Sequence, residues 1–130
     1  MFLNHEHEKE FFSIREEAAG KYKNNKEYMS VAFLMAGNEE LKQKMKPYFD
    51  MDEGFFKSAL MFEKEDFSTS LQVMAKLAVH LFNNNETVDP LDLIGYLDED
   101  NFELALQVIK FRKYGLDQGY TAKDGNMMIR

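Results

Sequence analysis

Leu3, His7, Phe11, Ile14 and Ala18 fall on one narrow stripe when the chain is wound as a helix, with charged residues between them. That spacing predicts a first helix. Asn4 is a good N-cap, and Glu6, Glu8 and Glu10 follow in the first turns, where the helix dipole favours anions. Gly20 is the expected stop. The run YMSVAFLMA, within a helix expected from Asn25 to Ala36, is apolar on nearly every side. A helix of that kind sits in the middle of a core. Gly37 should end it, and Asn38 should cap a short third helix, EELKQKMK, which Pro47 closes.

Residues 48–66 mix aromatics with acids and follow no single period. A short helix near Glu53–Phe62 between loops is the expectation there. Ser68 or Thr69 opens a strong helix, and Thr69-Ser70-Leu71-Gln72 fits a capping box. Leu71, Val73, Met74, Leu77, Ala78, Leu81 and Phe82 form its apolar face, and Gln72, Lys76 and His80 a polar stripe. Asn83-Asn84-Asn85 stops it. Asp89-Pro90 is an N-cap followed by proline at the first helical position, opening a short helix through Leu97.

Asp98 or Asp100 caps the last helix. Phe102, Ala105, Leu106 and Ile109 line one face of it, and Val108 and Phe111 extend the apolar surface. Lys110, Arg112 and Lys113 suit its final turn, and Gly115 ends it. The remainder, GLDQGYTAKDGNMMIR, lacks a helical period, although Asp124-Gly125 could make a tight turn. The expected architecture is therefore all-α: a compact, bundle-like single domain over residues 1–115, of about five to seven helices, with a short irregular tail at 116–130.

Composition supports this picture. A chain of 130 residues, 45% hydrophobic and 30% charged, is long enough for one core and too apolar for disorder. Two prolines and seven glycines are few for an all-β protein. The nine methionines and twelve phenylalanines are chiefly core formers, with room left for an apolar contact patch. The absence of cysteine removes disulfides, thiolate metal sites and cysteine nucleophiles together, and suits a reducing cytoplasm. The N-terminus has no basic region followed by an apolar run, and no stretch reaches membrane-span length, so a membrane role is not expected.

Net charge is −7, the wrong sign for direct nucleic-acid binding. The acidity is uneven. Between Lys76 and Lys110 there is no lysine or arginine, yet there are seven acids: Glu86, Asp89, Asp92, Asp98, Glu99, Asp100 and Glu103. Asp89 and Asp98 are expected caps. Glu86, Asp92, Glu99 and Glu103 are the candidate acidic contact surface.

Candidate chemistry is sparse. In NHEHEKEFF, His5 and His7 point about 200° apart on a helix and cannot share one ion. The residues four positions on are Lys9 and Phe11, so the zincin pattern is absent. His7 reads as a core-edge histidine and His5 as exposed. His80 shares its stripe with Lys76, whose charge opposes a metal; the two form at most a polar site, unless acids from other helices converge there. Size and class resemble the all-α metal-dependent nucleotide pyrophosphohydrolases, which use Glu-x-x-Glu followed by Glu-x-x-Asp. Glu63–Asp66 fits the second motif, but Glu39 and Glu40 are followed three residues on by Lys42 and Gln43, so the first is missing. No calcium loop, phosphate loop or dinucleotide fingerprint is present.

The order of Phe11-Phe12, the Tyr28 helix, NEELKQKMKPYFD, AKLAVHLFNN and NFELALQVIKFR resembles a family of small Firmicute proteins without an established activity. The resemblance covers residues 2–112 and implies a bacterial cytoplasmic helical domain. It implies no catalytic residues. The expected function is a non-catalytic interaction or regulatory module, without cofactor or metal, binding a protein partner with a basic surface. The alternatives are a hydrolase of the pyrophosphohydrolase kind, or an acidic mimic of nucleic acid with acids spread along one face.

Overall fold

In the computed structural model the described residues are 1–121, with side chains described through Leu116. They form seven α-helices: α1 (His5–Glu16), α2 (Lys26–Ala36), α3 (Glu39–Met45), α4 (Ser58–Lys64), α5 (Thr69–Asn83), α6 (Pro90–Tyr96) and α7 (Glu99–Thr121). The all-α expectation holds, apart from a small hairpin of β1 (Phe49–Asp50) and β2 (Phe55–Phe56).

Helix α2 is the centre of the core. Met29 through Met35 are all buried, as a helix apolar on every side requires. It packs against α1, α3, α5 and α7. Arg112 meets Glu27 near the start of α2, while Asn101 meets Asn38 just beyond its end, so α7 runs antiparallel to α2. Tyr28 packs on Phe82, which sets α5 antiparallel to α2 as well. Helices α5 and α7 are therefore parallel. The connection between them must travel back along the bundle, and α6 lies on that crossover, packed on both.

The asparagine caps expected at Asn4 and Asn38 form, and Asn25, expected only as the start of its helix, caps α2. The side chains of Asn4, Asn25 and Asn38 accept from the backbone N–H groups of His7, Tyr28 and Leu41. Asp98 caps α7 by accepting from the Asn101 N–H. Asn84 closes α5 in the left-handed conformation, φ 63°.

Several expectations are corrected. Helix α1 ends at Glu16, four residues before Gly20, because the chain leaves the helix to donate from the Ala19 N–H to the Met51 carbonyl of the hairpin turn. The segment expected as a helix at Glu53–Phe62 divides into β2 and the later α4. The Asp50 carboxylate accepts from the N–H groups of Asp52 and Glu53 and forms the hairpin turn. Gly54 completes it at φ 88°, with the Tyr22 hydroxyl in the space a side chain would need. Ser68 caps α5 through the Leu71 N–H, so the third helical position is Leu71 and no capping box forms at Thr69–Gln72.

On α7 the buried apolar side chains among the described residues are Leu104, Ala105, Val108 and Phe111, whereas Leu106 and Ile109 stand out in solvent. Gly115 breaks α7 at φ 79°, as its expected stop, but helical backbone resumes to Thr121. Six residues are too short a stretch to display a period in sequence. The possible turn at Asp124-Gly125 lies outside the described residues.

Candidate interaction surface

The NHEHEKEFF segment is a structural joint. Asn4 fixes the first turn of α1, which places His7 inward at 3% exposure. The ring lies edge-on to Phe33 and Phe2, with centroids 4.5 and 5.3 Å away. Its Nδ1 accepts from the Leu3 N–H at 3.1 Å. A backbone N–H can only donate, so Nδ1 carries no proton and Nε2 does. Nε2 donates to the Phe33 carbonyl at 2.9 Å. That carbonyl is in the last turn of α2, where helical N–H partners have run out. His7 on α1 thus caps the end of α2. Burial pushes the imidazole below its ordinary value of 6.5, against the opposing pull of the Phe33 carbonyl. His5 is exposed.

Arg112 does the same for α5. Its Nε donates to the Leu81 carbonyl at 2.8 Å, in the last turn of α5, and its outer nitrogen meets Glu27 at 3.1 Å. His80 is half-buried and donates from Nδ1 to the Glu86 carbonyl at 3.0 Å, which folds the Asn83–Glu86 turn back onto α5. Lys76, also half-buried, is one turn earlier on the same helix. Among the described residues, no three His, Asp or Glu side chains come together in a set that could hold a metal ion. The Glu63–Asp66 pair is not carried on one helix: α4 ends at Lys64, and the Asp66 carbonyl accepts from Lys44.

The candidate acids occupy the crossover and the start of α7. Asp92 accepts from the Asp89 N–H at 3.1 Å, so it serves the α6 cap as well as the surface. Glu103 accepts from Gln107 one turn on, at 2.8 Å, and Glu99 is exposed. The side chain of Glu86 is half-buried while its carbonyl holds His80. The ion pairs among the described residues involve Glu10, Glu16, Glu17, Glu27, Glu39 and Glu40, all before residue 47. None reaches the seven acids between Lys76 and Lys110. Elsewhere the pairing tightens contacts between helices, as where Lys42 of α3 meets Glu10 of α1 at 2.5 Å, which raises the lysine's pKa. The acids of 86–103 bond only to uncharged groups among the described residues.

A bundle of seven helices among the described residues, whose acidic crossover meets no cation among them, is the class of protein these features define. By its match over residues 1–112, the chain belongs to a family of unknown function, DUF6075. No curated protein and no solved structure matches it. Among the described residues, no helix is long and apolar enough to cross a membrane.

Proposed function

We propose that this chain is a non-catalytic interaction module of the Firmicute cytoplasm, binding a partner protein with a basic surface through Glu86, Asp92, Glu99 and Glu103. One observation carries the reading: seven acids in one segment have no cationic partner among the described residues, while the glutamates of the N-terminal third are repeatedly paired. Like charges held close repel, and a basic partner would relieve that repulsion and be steered toward it. Exposed charges act over about 8–10 Å near physiological salt, so the association should weaken as salt rises.

The test is affinity purification from the host with the wild type and a variant carrying Glu86→Gln, Asp92→Asn, Glu99→Gln and Glu103→Gln. Asn at 92 keeps a side-chain oxygen for the α6 cap. A partner captured by the wild type in a salt-dependent way and lost from the folded variant supports the reading. A variant that retains every partner with the same salt dependence refutes it.

A further inference from the structure

The acid-rich segment also holds most of the large apolar side chains that the fold leaves in water. Five of the seven such residues among those described, Leu91, Ile94, Tyr96, Leu106 and Ile109, lie between Lys76 and Lys110. Helix α6 is the centre of this. Only Leu93 of the helix enters the core; Leu91, Ile94 and Tyr96 are 76, 63 and 56% exposed. Leu91 and Ile94 are one turn apart and share the outward side.

Gly95 lies beside them. A Cβ built on it meets nothing within 4 Å, and its backbone is not left-handed. Neither packing within the fold nor backbone conformation requires glycine at this position, although glycine weakens a helix. Glycine does permit close approach by a backbone from outside.

We propose that α6 is the docking face for a basic amphipathic segment of the partner protein. Apolar side chains of that segment cover Leu91 and Ile94, and its backbone passes close over Gly95. Its lysines or arginines meet Glu86, Glu99 and Glu103. This deepens the acidic-surface reading above and rests on it. The acids of the same segment select the occupant. A second copy would bring the same acids to the contact, and an anionic membrane or nucleic acid would be repelled, whereas a basic segment is attracted.

Two synthetic peptides of about 18 residues, long enough to hold a helix, serve as probes. One carries leucine and lysine at amphipathic spacing; the other has serine for every leucine and the same charge. Binding is followed by backbone amide shifts and titration. The amphipathic peptide should bind the wild type at least about tenfold more tightly, with shifts centred on residues 91–96. The double variant Leu91→Ser, Ile94→Ser should lose that advantage, while Leu60→Ser, an exposed leucine on α4, keeps it. Gly95→Ala should raise thermal stability and weaken the amphipathic peptide.

Equal binding of both peptides, or wild-type binding by the 91/94 variant and by Gly95→Ala, would overturn the docking face. The acidic-surface reading would survive that result if Glu86→Gln, Glu99→Gln and Glu103→Gln together weakened both peptides. Unchanged binding by this triple variant would overturn both. A dimer in sedimentation that the 91/94 variant abolishes would assign the face to a second copy and overturn the proposal.

Discussion

Replacing His7 by leucine should destabilise the protein by about 2–4 kcal/mol and remove a component of its pH dependence. The figure follows from the two bonds lost. The Phe33 carbonyl at the end of α2 loses its 2.9 Å donor, and the Leu3 N–H loses its 3.1 Å acceptor. A buried polar group left without a partner costs about 1–3 kcal/mol; Leu3 is half-buried and can regain water, so its share is at the low end. Loss of the edge-on contacts with Phe33 and Phe2 adds to this, while the apolar leucine offsets part.

The sign of the pH effect follows from the lowered folded-state pKa. Below 6.5 the unfolded chain takes up a proton at this histidine before the folded chain does. Stability contributed by neutral His7 is therefore complete above 6.5 and declines as the pH falls through the lowered folded value. The assay is urea unfolding of both proteins between about pH 7.5 and about pH 5, compared as a difference so that common groups cancel. The gap between wild type and His7→Leu should narrow toward acid. A loss under about 1 kcal/mol at neutral pH, or a gap that does not change with pH, would refute the role given to His7.

Gly37→Ala should destabilise by about 1–2 kcal/mol in denaturant unfolding, because the new methyl would stand 2.5 Å from Cδ1 of fully buried Leu104; an unchanged midpoint would mean that α2 and α7 can part freely. Ser30→Ala should be neutral or stabilising by up to about 1 kcal/mol, since the Ser30 hydroxyl is buried in α2 without a hydrogen-bond partner among the described residues. A clear loss in thermal unfolding would show that the hydroxyl is bonded.

Local signals were sufficient wherever the physics is local. Asn4, Asn38 and Asp98 cap the helices their positions in sequence announce, and the all-round apolar run of α2 could only be buried. The acid-rich segment was also legible, because charge needs no partner to be counted. Tertiary structure decided everything that depends on which elements meet. On α7 sequence placed Phe102, Ala105, Leu106 and Ile109 on one face, with Val108 and Phe111 extending it; the close approach of Gly37 to Leu104 turns the side of Leu104, Ala105, Val108 and Phe111 inward and leaves Leu106 and Ile109 in water. Periodicity marks an apolar stripe but does not say which of two will find a neighbour.

The same holds for His7 and Arg112. Their places on α1 and α7 could be read from spacing, but the carbonyls they cap belong to α2 and α5, and no periodicity within one helix encodes a bond to another. The exposure of Leu91 and Ile94 has this origin too. With α5 and α7 parallel, the crossover must run over the outside of the bundle, where a helix of two turns has one side to bury and one side left facing solvent.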